Sequence, residues 1–225
     1  VFPEGGLSLD GGLTPPKLGL LKYILDGRTD FDRDVVFVPV ALNYDRVFED
    51  WILVAAGKKG ERRFQARISV VAGFILKQLW LWITGRYHRH GYAAVSFGTP
   101  VSLNEYQAHN PGASVEALGE RLMERIGEEV PVLPVPAVAH VLSEQNGSIT
   151  EAALTEAVGH LLERVPEAHV HMPRDDADYM VEVGLRNLRK RGLLREGREG
   201  IFIDQDDQVL VAYYAKSIAH LVRAA

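Results

Sequence analysis

Residues 35–41 read Val-Val-Phe-Val-Pro-Val-Ala, an unbroken apolar run dominated by β-branched side chains. A strand apolar on both sides of its pleat must be covered on both faces, the condition met in α/β sheets rather than in half-exposed hairpins. The run therefore predicts an α/β domain. Pro39 has no N–H for a ladder and marks an edge, a bulge or the strand's end. A second strand is expected over residues 92–97, stopped by Gly98 and Pro100. Thr14-Pro15-Pro16-Lys17 looks like a helix start, with Thr14 as cap and a proline in the first turn. That helix would run through Leu20, Leu21, Ile24 and Leu25 to Asp26-Gly27. Ser114 is the expected cap of a helix reaching Gly127. Pro131, Pro134 and Pro136 then punctuate a shift in composition, which divides the chain into an α/β part, 1–130, and a mainly helical part, 131–225. Helices are expected over 150–165, 175–191 and 208–225, with a short hairpin around Ile201-Phe202-Ile203.

The chain has 225 residues, and no cysteine is among them. Disulfide scaffolds, thiolate zinc sites and cysteine nucleophiles are thereby excluded. With 47% apolar and 24% charged residues, the composition is that of a globular protein, not a disordered or fibrous one. The formal charge of −5 is unevenly spread. Between Gly57 and His90 stand Lys58, Lys59, Arg62, Arg63, Arg67, Lys77, Arg86 and Arg89 against the single acid Glu61, a local +7 that leaves −12 for the rest. Inside this basic island, residues 68–83 are largely apolar. They are shorter than the roughly 20 residues of a membrane span, and Lys77 and Gln78 interrupt them. They suit an interfacial helix, with Phe74, Leu76, Trp80 and Trp82 at the acyl boundary and Lys58, Lys59, Arg62, Arg63 and Arg86 for anionic headgroups. A helix buried in the protein's own core is the other reading.

Phe2-Pro3-Glu4-Gly5-Gly6-Leu7-Ser8-Leu9-Asp10-Gly11-Gly12 combines glycines, two carboxylates and a hydroxyl. Glycines permit tight turning and close approach of backbone to a ligand. Lys17 would follow in a first helical turn, where free N–H groups already favour an anion. Together Glu4, Gly5, Gly6, Ser8 and Lys17 suggest a pocket for hydroxyl groups and a phosphate. An ordinary surface loop with a solvated lysine is the alternative. No Walker A loop or dinucleotide fingerprint occurs.

Four blocks in order resemble the glycerol-3-phosphate acyltransferases of the bacterial membrane-associated type. Phe2-Pro3-Glu4-Gly5-Gly6-x-Ser8-x-Asp10-Gly11 with Pro16-Lys17-x-Gly19 is similar to the family's F-x-E-G-x-R-S-R-x-G and P-K-x-G block. Residues 38–45, which include Pro39, resemble V-P-V-x-I-x-Y-x. Val95-Ser96-Phe97-Gly98-Thr99-Pro100-Val101 resembles N-F-G-x-P-I, and Tyr213-Tyr214-Ala215-Lys216-Ser217-Ile218-Ala219-His220 resembles Y-Y-A-N-S-I-x-H. The resemblance implies the C-terminal part of a glycerolipid acyltransferase-like α/β domain with a mixed sheet, followed by a mainly helical region. It implies acyl transfer from acyl-CoA or acyl carrier protein to the 1-hydroxyl of sn-glycerol 3-phosphate, without a cofactor. It also implies an anionic membrane surface as partner, at the cytoplasmic face of the inner membrane. Glu4, Gly5, Gly6, Ser8, Lys17 and Pro39 would then bind substrate.

The family's base is an H-x-x-x-x-D pair lying before the E-G-x-R-S block. Val1 opens as the end of a strand running into a loop, so the beginning of the protein, and with it the base, is expected upstream of Val1. Residues 1–225 alone are then expected to be inactive. His171 and Asp176 spell the same pattern far downstream, with Pro173 between them, where a surface histidine and a helix cap are expected instead. His88 and His90 fall in the basic island, and His220 reads as packing. Two departures stand out. Leu7 and Leu9 replace the arginines flanking Ser8, which leaves more of a phosphate to Lys17 and keeps lysophosphatidate or dihydroxyacetone phosphate open as acceptors. Lys216 replaces an asparagine. A binding module in the tail is a separate reading, since residues 185–194 form a basic helix before an apparent wing. Glu196 and Glu199 interleave there, and no nucleic-acid partner is expected.

Overall fold

The computed structural model describes residues 1–27, 33–59, 80, 83, 91–145, 147–165 and 176–223. The first helix, α1 (Gly19–Gly27), starts later than Thr14. Residues 14–17 are extended because their polar groups are already used: the Lys17 N–H bonds to the Pro3 carbonyl at 2.8 Å, and Thr14 bonds to the Glu4 carboxylate. Each residue before a proline also disfavours helical backbone.

The apolar run at 35–41 divides at Val38-Pro39 into β1 (Val36–Phe37) and β2 (Val40–Tyr44). After α2 (Asp50–Lys59) come β3 (Ala93–Phe97), β4 (Val101–Ser102) and α3 (Leu103–His109). β1 pairs with β4 and β2 with β3, both antiparallel, so each sheet among the described residues has two strands. Pro39 is where the run changes partner, and its carbonyl accepts the Gly98 N–H at 2.9 Å. The expected burial of both faces is not met among the described residues. Ala41, Asn43, Ala94 and Ser96 face inward, while Leu42, Tyr44, Val95 and Phe97 are exposed.

The helices of the second half are α4 (Val115–Glu128), α5 (Pro134–Glu144), α6 (Glu151–Arg164), α7 (Ala177–Lys190), α8 (Gln208–Lys216) and α9 (Ala219–Arg223), with the hairpin β5 (Arg195–Gly197) and β6 (Gly200–Phe202) between α7 and α8. Ser114, Thr150 and Asp176 cap α4, α6 and α7, each accepting the N–H three residues on. The expected helix over 208–225 breaks after Lys216, where the Ser217 hydroxyl donates back to the Tyr214 carbonyl at 2.8 Å.

The prolines at 134 and 136 open α5 rather than interrupt the chain, because the first helical N–H groups have no partner to lose. Residues 134–142 are all buried, so α5 is the axis of the helical part. Gly184 lets α7 approach it: a Cβ there would lie 2.6 Å from Val138 Cγ2 and 2.7 Å from the Pro134 oxygen. Ile149 exchanges both backbone hydrogen bonds with Ile201, at 2.9 and 2.8 Å. Helix α5, the Ile149 bridge, α6, α7 and the hairpin thus follow the element order of a winged-helix module. Along its α7 and wing, Arg186 pairs with Glu182, Arg189 with Glu151 and Glu196, and Arg195 with Asp204. Each of these three arginines is therefore offset by a carboxylate.

One apolar core runs through both halves, joining Ala41, Leu53 and Val130 to Val138, Leu154, Met180, Leu185, Tyr214 and Ile218. A smaller cluster of Leu21, Leu103, Leu118 and Leu122 seats α1 and α3 on α4. No helix among the described residues is long and apolar enough to cross a membrane.

Candidate functional site

Residues 2–17 fold into a loop stapled by its own polar groups. The Gly5 N–H bonds to the Phe2 carbonyl at 3.0 Å, and Gly5 takes φ +72°, a region in which a side chain is strained. The Ser8 hydroxyl donates to the Gly12 carbonyl at 2.7 Å and accepts the Gly11 N–H at 3.0 Å. Asp10 Oδ1 accepts the Gly12 N–H at 3.1 Å. Glu4 Oε1 receives both the backbone N–H and the hydroxyl of Thr14, the latter at 3.1 Å, and so closes the loop on itself. Ser8 and Glu4 are thus loop-building residues first. Thr14, expected as a helix cap, is the partner of Glu4.

Lys17 lies across Gly5. A Cβ on Gly5 would be 2.5 Å from Lys17 Cδ and 3.0 Å from its Nζ, so only glycine lets the lysine stem lie there. Among the described residues the Lys17 ammonium has no ion-pair partner. Beside it, Gly6 is exposed and has nothing within 4 Å of a would-be Cβ. An ammonium beside the open peptide of Gly6 can take a phosphate oxygen with a charge-assisted hydrogen bond. This cation stands two residues ahead of α1, not in its first turn, so the helix dipole contributes less than the sequence reading expected.

The loop is seated by parts of the chain that sequence reasoning did not connect with it. Gly11, at φ +88°, presses on the Tyr213 peptide so closely that a Cβ would stand 1.7 Å from its oxygen. Gly57 of α2 meets the Leu9 carbonyl from the other side. Lys216 Nζ reaches Asp10 Oδ2 at 3.0 Å. Partial burial acts to raise the Asp10 pKa, and the bonds from Lys216 and from the Gly12 N–H outweigh it, holding the carboxyl below the usual aspartate value. Leu13 packs on Gly127 in the last turn of α4, and His220 Nε2 donates to the Gly127 carbonyl at 2.9 Å. Burial lowers the His220 pKa against that bond, so the neutral ring serves as packing. Pro39 is buried, and the Gly98 that bonds to it lies under the Glu129 side chain at the end of the same helix α4.

Of the residues expected at a membrane, Lys58 is exposed at the end of α2, and Trp80 is 55% exposed. Ile83, in the same apolar run, is 69% exposed. Phe74, Trp82, Arg62, Arg63, Arg86 and the side chain of Lys59 lie outside the described residues, as do His88, His90 and His171. Asp176 caps α7, accepting the Tyr179 N–H at 2.6 Å.

Residues 79–224 match a family model described as the glycerol-3-phosphate acyltransferase C-terminal region. The glycerol-3-phosphate acyltransferase of Pseudomonas putida (strain W619) is 30% identical to the chain over 251 aligned residues, and that of Pseudomonas fluorescens (strain Pf0-1) is 29% identical over the same length. The protein of that name from Pseudomonas putida (strain GB-1) is 27% identical over 248 residues. Each comparison covers 98% of this chain and 28% of the relative, so the chain spans less than a third of the length of these relatives.

Proposed function

That this chain belongs to the glycerol-3-phosphate acyltransferase family is the premise from which we propose that it forms the acceptor side of an acyl-transfer site for sn-glycerol 3-phosphate. The carrying observation is Lys17, an ammonium without an ion pair among the described residues, laid over Gly5 and next to the open peptide of Gly6. The phosphate rests between Lys17 and the exposed glycine backbone, and Glu4 keeps that backbone in place through Thr14. Ser8 acts from within the loop, and Pro39 sets the neighbouring strand end.

The reaction joins the 1-hydroxyl oxygen to the acyl carbonyl carbon and breaks the carbon–sulfur bond of acyl-CoA or acyl carrier protein. A neutral histidine of an H-x-x-x-x-D pair takes the hydroxyl proton and returns it to the departing thiolate, while the aspartate fixes the tautomer.

The working fold is an acyltransferase α/β domain, with 1–130 belonging to it and 131–225 forming the helical support. The apolar outer face of Leu42, Tyr44, Val95 and Phe97 supports a sheet covered on both sides in that working state. The basic island, with exposed Trp80 and Ile83 at its apolar run, supports attachment to an anionic membrane surface, at the cytoplasmic face of the inner membrane.

The test is titration of the chain with sn-glycerol 3-phosphate, followed by amide NMR. Shifts at Gly5, Gly6 and Leu7 are expected, with affinity about tenfold or more lower in Lys17→Ala, the value of one charge-assisted hydrogen bond. Shifts elsewhere, or binding indifferent to Lys17→Ala, would overturn the assignment. Dihydroxyacetone phosphate and lysophosphatidate in parallel titrations identify the acceptor, since exposed Leu7 adds no charge to select among phosphates.

A further inference from the structure

The acceptor loop carries an electrostatic deficit. Between Val1 and Leu18 the only charged side chains are Glu4, Asp10 and Lys17, two acids and one base. Such a loop, by itself, repels the phosphate that Lys17 attracts. Local sequence offers no remedy, because Leu7 and Leu9 flank Ser8. The remedy arrives from α8. Lys216 Nζ lies 3.0 Å from Asp10 Oδ2, and its Cβ lies 4.0 Å from where a Cβ on Gly12 would be. Asp10 is therefore neutralised by a residue 206 positions away.

We infer that Lys216 is a specificity-determining residue of the acceptor loop, cancelling the Asp10 charge so that the loop accepts a phosphorylated alcohol. This rests on the acceptor-loop reading above. Both side chains are about half exposed, so the pair adds little to folding stability and acts through charge. Two residues make the mechanism separable from a mechanical clamp. Lys216→Gln and Asp10→Asn both break the same ion pair. A clamp would weaken acceptor binding equally in both. Charge cancellation predicts opposite signs, because the first leaves a bare carboxylate in the loop that takes the phosphate and the second removes it.

The experiment is titration of the 225-residue chain and its variants with sn-glycerol 3-phosphate at low salt. Lys216→Gln should raise Kd about three- to tenfold, Asp10→Asn should lower it about twofold, and Lys216→Arg should behave as the parent. At about 0.5 M salt, where the Debye length falls to about 4 Å, the differences should collapse. Uncharged glycerol should bind all four chains alike. Movement of Lys216→Gln and Asp10→Asn in the same direction, or salt-independent effects, would overturn the inference while leaving the loop assignment standing. Loss of binding in none of the Lys17 and Lys216 variants would overturn both.

Discussion

Asp45 Oδ1 accepts the backbone N–H of Val135 at 2.8 Å, across ninety residues of chain. Its other oxygen takes the Tyr92 N–H at 2.9 Å, so one buried carboxylate ties the end of β2, the approach to β3 and the first turn of α5. Burial pushes the Asp45 pKa up to about 6, against the two N–H bonds that favour the charge. The folded protein therefore holds a proton between about pH 4 and 6 that the unfolded chain has released, and this group's contribution to stability falls as pH rises through that window. Relative to Asp45→Asn, the parent should gain up to about 3 kcal/mol on acidification from pH 7 to 4, at 1.36 kcal/mol per unit. Urea unfolding of both proteins at pH 4.5, 5.5 and 7 measures it. A constant difference between the two would refute the assignment.

Asp50 is a second buried carboxylate, bonded by Arg191 from the end of α7 and by the Tyr214 hydroxyl from α8. The same hydroxyl accepts the Val47 N–H at 3.1 Å. Removing the guanidinium leaves the Asp50 carboxylate, only 3% exposed, without its ion-pair partner. Arg191→Met should cost about 3–5 kcal/mol in urea unfolding, and Asp50→Asn with Arg191→Met should recover most of that loss. A double variant no more stable than the single one would show that the pairing is not what matters.

Gly11 and Gly6 stand in one loop with opposite tolerances. An alanine at 11 meets the Tyr213 oxygen and a left-handed backbone together, for roughly 2–4 kcal/mol of combined strain and overpacking. An alanine at 6 meets nothing within 4 Å. Thermal melts should separate the two plainly, with Gly6→Ala close to the parent. Equal melting temperatures would contradict the close approach of loop and α8.

The basic island makes its own forecast. Trp80→Ser with Trp82→Ser should release the protein from vesicles rich in phosphatidylglycerol, each lost aromatic removing about 2 kcal/mol of interfacial burial. Cosedimentation at rising salt reads it out. Unaltered sedimentation would return the apolar run to the protein interior.

Features with a local cause were legible in the sequence. Ser114, Thr150 and Asp176 announce their helices because a cap acts over three residues, and the strand at 93–97 ends where Gly98 and Pro100 said it would. Helix α5 left no such trace: buried on every side, it lacks the polar stripe that marks a surface helix, and its prolines resemble punctuation. The division of the run at Pro39 depends on two different partner strands, which no window around Pro39 contains. In the loop, Glu4, Gly5 and Lys17 were recognisable as a group. Their actual contacts, the hydrogen bonds of Glu4 with Thr14 and the Lys17 stem lying across Gly5, follow from a turn geometry that composition does not encode.

The seating of Gly11 on the Tyr213 peptide and of Asp10 on Lys216 has a bearing on biogenesis. During translation the glycine turn emerges about 200 residues ahead of the helix that holds it, an interval of about 10–40 s at ordinary elongation rates. Until that helix leaves the ribosome, the nascent turn has neither its backrest nor its counter-charge. A premature stop before residue 208 would therefore leave the turn without either contact, although the turn itself had already been translated.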